Sequence, residues 1–323
     1  MVLPYVVIKA LSDGCFHSGE ALAQAAGVTR AAIWKAIRIL QADYGLDIHS
    51  VRGRGYRLAQ SIDLLDQDAI RQHLQDPSRL AGLETFLTID STNQYLMQHP
   101  SQMVCAPWVV FAERQSAGRG RRGRTWQSPF AGNLYCSLLW RFNQINANFI
   151  GLSLVVGVAV CRLLAHLGLE QLGLKWPNDV LCQGRKLSGI LIEMRGETNG
   201  PYDAVIGVGL NVRMPEDAGR QIDQPWVSLE QVAPTLPARN DLAAQLVDHM
   251  LDILPEFERH GLQPFLMEWQ HLDVYRDQPV VLQLGDNRIQ GIERGIDEQG
   301  ALLVEHNGKL QRYYSGEMSL RTA

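Results

Sequence analysis

Apolar residues recur at two different spacings along the chain, and the change of spacing divides it. Residues 3–45 follow a helical period. Residues 3–12 make a first helix, and residues 18–27 a second that Ser18 can cap. Gly27 supplies a tight turn, and residues 28–45 make a third helix. On that third helix Ile33, Ile37 and Leu40 share a face that should turn inward, leaving Arg30, Trp34, Lys35 and Arg38 opposite. Residues 46–58 then read as two short strands around Arg52, Gly53, Arg54 and Gly55. Helix, turn, helix and a basic hairpin outline a winged helix-turn-helix over residues 1–60.

Beyond residue 60 the pattern shifts toward strands. A linker and a helix fill 61–85, and 85–99 reads as strand, turn, helix. Strands follow at 108–115, 133–142, 172–196 and 202–214, with a helical stretch at 239–260. The longest apolar run starts at Phe149. Arg162 interrupts it, and the part before Arg162 is too short to span a bilayer comfortably, so a helix buried against a sheet is expected. The result is an α+β protein with a central mixed α/β domain over 61–270. Residues 271–323 alternate in short strands with turns at 285–287, 297–300 and 306–308, the pattern of a small β-barrel of SH3-like type.

Composition adds little except in its distribution. The net charge of −4 argues against a whole chain that coats nucleic acid, but residues 1–60 hold seven Lys/Arg against four Asp/Glu. A basic head favours DNA: Thr29, Arg30, Trp34, Lys35 and Arg38 would meet a groove, and Arg52 and Arg54 phosphates. A protein-binding helical domain with a solvated basic face is the alternative, and exposed Trp34 suits either. The five cysteines are scattered without a CxxC pair, which fits a reducing cytoplasm and small buried thiols. The N-terminus lacks the features of a secretion signal. The nine histidines show no HxxxH or HExxH spacing, so no structural metal is expected.

The chemical signal is concentrated at 118–126, GRGRRGRTW. The glycines match G-x-G-x-x-G, but the residues after them (Pro129, Gly132, then a strand) cannot form the helix that a dinucleotide fold requires, and no GK[ST] completes a Walker loop. A solvated nucleic-acid patch and a loop that closes on a small polyanion remain. The glycines favour the polyanion, because they let backbone N–H groups approach it closely. KWPND (175–179) groups Lys175, Asn178 and Asp179, RKLSGILIE (185–193) sets Lys186 before a strand, and GVGLN (207–211) sets two glycines before Asn211.

Together, STN (91–93), QSAGRGRRGRTW (115–126), SPFAGNLY (128–135), KWPND, RKLSGILIE and GVGLNV (207–212) resemble the biotin–protein ligase family. Residues 1–58 resemble the DNA-binding domain of its bifunctional bacterial members. Lipoate ligases share the catalytic fold but not the arginine-loop segment. The resemblance implies a ligase that joins biotin and ATP into biotinyl-5′-adenylate, with Mg2+ accompanying ATP, and passes the biotinyl group to a lysine of a biotin carboxyl carrier protein. It implies biotin contacts at Ser91, Thr92, Asn93, Gln115, Gly118, Arg119, Gly120, Arg121, Trp126 and Lys186, and adenylate contacts at Arg121, Arg124, Asn178, Lys186, Asn211 and Trp226. Arg121, Arg124, Lys186 and Asp179 would be catalytic, with Asp179 orienting either the acceptor lysine or Mg2+. The loop 213–225 would order over the adenylate. A homodimer would bind operator DNA and repress biotin synthesis genes, in the cytoplasm and away from membranes. Trp34 and Ala36 stand where base-reading polar residues are expected, which bears on the operator sequence.

Overall fold

The computed structural model describes residues 3–99, 107–143, 149–196, 201–284, 287–314 and 318–322. The head is built from α1 (Leu3–Leu11), α2 (Gly19–Ala26), α3 (Arg30–Tyr44), β1 (Ile48–Val51) and β2 (Gly55–Leu58). Ser18 caps α2 and Thr29 caps α3, each by accepting a backbone N–H three residues on, and Gly27 turns the chain between them at φ 65°. Ile33, Ala36, Ile37 and Leu40 are buried against Val7, Ile8 and Leu11. Ala36 therefore belongs to the core and not to the reading face, which corrects the sequence expectation. Its i+3 spacing from Ile33 places it on the apolar stripe. Gly55 at the base of the wing is obligatory, because a Cβ there would lie 2.0 Å from the His17 carbonyl oxygen.

The body follows as α4 (Gln67–His73), β3 (Gly82–Phe86), α5 (Thr92–Gln98), β4 (Trp108–Ala112), β5 (Leu134–Phe142), α6 (Leu152–His166), β6 (Leu172–Lys175), β7 (Asp179–Cys182), β8 (Arg185–Gly196) and β9 (Tyr202–Leu210). It continues with α7 (Glu216–Gly219), α8 (Leu229–Val232), α9 (Arg239–His260) and α10 (Leu266–Leu272). Its seven-stranded sheet runs β3-β4-β5-β9-β8-β7-β6, parallel only between β3 and β4. The apolar run after Phe149 becomes α6, which packs with α9 on one face of the sheet and buries the main core. No helix among the described residues is long and apolar enough to cross a membrane. The other face carries α5, whose Leu96 packs on Val110, Leu139 and Val205. Alternation puts Gly207 and Gly209 on this second face with Val205.

The last strands are β10 (Pro279–Leu284), β11 (Asn287–Ile296), β12 (Leu302–His306), β13 (Lys309–Tyr313) and β14 (Met318–Thr322). They form an antiparallel sheet in the order β13-β12-β11-β10-β14, in which β13 and β14 lie at opposite ends. Cys136, Cys161 and Cys182 are buried as expected, but Cys15 is exposed in the turn after α1. Cys105 lies outside the described residues.

The connection between head and body is densely bonded. Ile62 N–H donates to the Ser12 carbonyl at 3.1 Å, and Lys9 pairs with Asp66 at 2.8 Å. Leu65 N–H donates to Glu113 at 2.5 Å. Arg239 bonds the Asp63 carbonyl and pairs with Glu113 at 2.8 Å, both side chains being about 2% exposed. Arg114, on the body, donates to the Asp43 carbonyl near the end of α3, and Phe130 packs edge-on against Tyr44 at 5.1 Å. Removing one partner of a buried ion pair strands the other charge away from water. Arg239→Met should therefore cost about 3–5 kcal/mol in urea unfolding of the full chain, and a loss under 1 kcal/mol would contradict this reading of the pair.

Candidate active site

The glycines of the central strands open a trough on the α5 face. Across β5, β9 and β8, Tyr135, Gly209 and Gly189 share one row, and Ser137, Gly207 and Leu191 the next. A Cβ on Gly209 would lie 2.4 Å from the Trp126 ring, and one on Gly189 would lie 2.9 Å from it. A Cβ on Gly207 would lie 2.3 Å from Asn93 Oδ1. Missing side chains thus let Trp126 and Asn93 settle against the sheet backbone. Above them lies a cavity of about 810 Å³.

At one end the start of α5 is held rigidly. Ser91, Thr92 and Asn93 are buried, and Ser91 caps the helix. Thr92 donates through its backbone N–H and its hydroxyl to Gln115 Oε1 at 2.9 and 3.1 Å. Ser137 Oγ lies 2.7 Å from Thr92 Oγ1 and 2.6 Å from Asn93 Oδ1.

The arginine segment is a tight hairpin. Gly120 N–H donates to the Arg124 carbonyl at 2.7 Å, and Trp126 N–H to the Gly118 carbonyl at 2.9 Å. Arg122 and Gly123 at its tip have positive φ of 58° and 71°. Gly118 sits at the root, where a Cβ would lie 2.8 Å from Ser128 Oγ, and it does not line the cavity. Arg119, Gly120, Arg121, Arg122 and Arg124 do line it. Arg121 Nη1 donates to Asn178 Oδ1 at 3.4 Å. Burial is the main cause that pulls Arg121 below the ordinary guanidinium range. The positive charges of Arg122 and Arg124 add to it, and Asp179 opposes it. A bound anion would reverse the electrostatic part of that cost.

Also on the cavity wall, Lys186 Nζ pairs with Asp179 at 2.7 Å and lies 5.4 Å from the Trp126 ring centre. The Lys186 backbone bridges to the segment around Trp226, accepting from Val227 N–H and donating to the Pro225 carbonyl, both at 2.9 Å. Trp226 itself donates from its indole to the Gly219 carbonyl at 3.0 Å, and a Cβ on Gly219 would lie 2.1 Å from its ring. The loop 213–225 thus contains a helical turn, α7, folded against Trp226. Asn211 Nδ2 donates to the Val227 carbonyl at 3.1 Å, while its buried Oδ1 has no hydrogen-bond partner among the described residues.

The structure therefore gathers every expected body residue except Gly118 around one cavity. Sequence reading missed Ser137, Glu193, Gly189 and Tyr275 as members or supports of it, and took Arg122 only as part of the arginine loop. Strand register alone brings the first three into place, and Tyr275 comes from the C-terminal segment. Among the described residues no three His, Cys, Asp or Glu side chains converge as a metal site. The head carries a separate exposed surface: Thr29, Arg30, Trp34, Lys35, Arg38, Arg52 and Arg54 all face outward, Trp34 being 55% exposed. Arg38 lies over Trp34 at 5.9 Å and Arg54 over Phe16 at 4.2 Å.

This pairing of a helix-turn-helix head with a trough-bearing mixed sheet matches known protein classes. The biotin/lipoate A/B protein ligase family matches residues 86–211, the biotin protein ligase C-terminal domain 277–321, and a helix-turn-helix domain 7–57. The chain is 46% identical over 321 residues to the bifunctional ligase/repressor BirA of Salmonella typhimurium, covering 99% of this chain and 98% of that protein. It is 44% identical to BirA of Escherichia coli over the same shares of each. The biotin protein ligase of Aquifex aeolicus, solved in complex with biotin and ATP, superposes with a TM-score of 0.65 at 28% identity, covering 76% of this chain and 100% of that one. The chain belongs to the bifunctional ligase/repressor BirA family.

A polyanion that meets the desolvated Arg121 should stabilise the fold by linkage. Pyrophosphate at about 100 times its Kd should add about 2.7 kcal/mol of stability in thermal unfolding. In Arg121→Ala the same concentration should add much less. Equal stabilisation of the variant would contradict the charge argument.

Proposed function

We propose that the chain is an ATP-dependent biotin–protein ligase that works through biotinyl-5′-adenylate, and a biotin-responsive repressor of biotin synthesis genes. The observation that carries the first part is the gathering of Arg121 and Lys186 around the neighbouring Asn178 and Asp179 on the wall of one cavity, which a largely buried polar pocket (Thr92, Asn93, Gln115) and the Asn211–Trp226 region also line. The biotin ring enters the polar pocket under the hairpin residues Arg119, Gly120 and Arg121, with Ser91 capping the helix that forms it. Trp126 walls the chain of the vitamin. Its carboxylate reaches Lys186, and the nucleotide lies toward Asn178, Asn211 and Trp226.

The first step joins the carboxylate oxygen to the α-phosphorus of ATP and breaks the bond to pyrophosphate. Negative charge grows on the phosphoryl oxygens, where Arg121, Arg124 and Lys186 neutralise it. In the second step the lysine amine of a biotin carboxyl carrier protein attacks the mixed anhydride and AMP leaves. Proximity carries much of this step, because an acyl adenylate is already activated. Mg2+ arrives with the triphosphate. Asp179 lines the cavity, and its bond to Lys186 fits it to holding that ammonium group in place and to orienting either the incoming amine or the Mg2+ that accompanies ATP.

The family resemblance, with the three matched regions, supports domains at 1–60, 61–270 and 271–323, the last curling as an SH3-like barrel. It also supports a cytoplasmic protein that pairs on operator DNA when adenylate fastens the hairpin and the loop 213–225. The exposed cationic face of α3 and the wing would meet the DNA.

Incubating the chain with ATP, biotin and a carrier domain should add one biotinyl group to the carrier by mass spectrometry. No addition would overturn the ligase reading, and addition of lipoate in its place would correct the substrate. Lys186→Ala should slow both half-reactions by about 10²–10³-fold, read as pyrophosphate release and as transfer from supplied adenylate. Sedimentation should show monomers without ligand and dimers with biotinyl-adenylate. An unchanged monomer population would remove the dimer from the scheme.

A further inference from the structure

Glu193, on β8, stands beside the polar pocket and joins two of its parts. Its Oε2 accepts from Asn93 Nδ2 at 2.9 Å, and its Oε1 lies 3.5 Å from Arg119 Nη2 on the hairpin. The second hydrogen of Asn93 Nδ2 goes to the Leu191 carbonyl at 3.2 Å. Both donors of the amide are thus used by the protein. On the other side, Asn93 Oδ1 lies 2.6 Å from Ser137 Oγ and keeps a second lone pair. Asn93 lines the cavity, and the missing Cβ of Gly207 lets its amide oxygen settle against the β9 backbone.

An Asn amide can turn over, exchanging oxygen for nitrogen with little change of shape. A carboxylate facing a guanidinium accepts and does not donate, so Glu193 and the Leu191 carbonyl both require the nitrogen on their side. We propose that Glu193 is a positioning residue that fixes the orientation of Asn93, so that the pocket offers an acceptor and selects an acyl substrate whose ring carries an N–H. The inference rests on the ligase reading. A ureido ring satisfies it, and a dithiolane ring, which has no N–H, does not. The link to Arg119 is secondary: it attaches the hairpin to the same carboxylate.

Glu193→Gln tests this, because it keeps the size of the side chain and gives it a donor as well as an acceptor. Wild-type adenylate formation from biotin and ATP is measured first, and its absence would count against the ligase reading alone. Given an active wild type, E193Q should raise the KM for biotin about tenfold, the scale of one hydrogen bond, and leave the KM for ATP unchanged. On an Asn93→Ala background the same change should have no further effect, and on an Arg119→Ala background it should keep its full effect. An unaltered biotin KM, an equal rise in both KM values, or loss of the effect only with Arg119→Ala would each overturn the proposal.

Discussion

Arg121, Arg122 and Arg124 are carried on one short hairpin over a cavity that also holds Lys186. Like charges in a place that partly excludes water raise each other's free energy, and burial raises it further. Arg121 records both effects in its lowered proton affinity. Much of the surrounding structure manages that charge. Asp179 pairs with Lys186, Asn178 accepts from Arg121, and Glu193 faces Arg119. A negatively charged ligand completes the arrangement, which is why a nucleotide fits this site better than a neutral molecule.

The sheet contributes by omission. Gly189, Gly207 and Gly209 remove side chains from three neighbouring positions, and the indole of Trp126 and the amide of Asn93 fill part of the space. Close-packed strands then act as a flat floor whose shape is fixed by backbone, so the polar groups above it can be held by short bonds such as those of Ser137. Binding chemistry and core packing use opposite faces of the same strands. The α6 and α9 face is apolar, and the α5 face carries the site.

Much of this was legible in the chain. The head's helices and wing follow from period, the Ser18 cap and the glycines, because local rules decide them, whereas the cap that Thr29 gives α3 emerges only in the structure. The arginine hairpin, KWPND and Lys186 announced themselves by composition. Ala36 was misplaced because a small residue reads as neutral until the helix face is fixed, and the structure puts it in the core beside Ile37. Ser137 and Glu193 were invisible for a different reason. Each lies in an ordinary strand, and only the registers β5–β9 and β8–β9 bring them to Asn93. Tyr275 reaches the cavity from a segment far along the chain. The last five strands were expected as a barrel, and their pairings give an antiparallel sheet with β13 and β14 at its edges.

The segment between head and body has consequences for how the molecule would measure distance. Residues 62–66 are bonded on one side to α1 and its turn and on the other to Glu113 and α9, and the end of α3 touches both Arg114 and Phe130. The head is bolted on, not tethered. Were two such chains to sit together on a duplex, the gap between their footprints would be dictated by the enzyme bodies, as the span of a caliper is set by its frame.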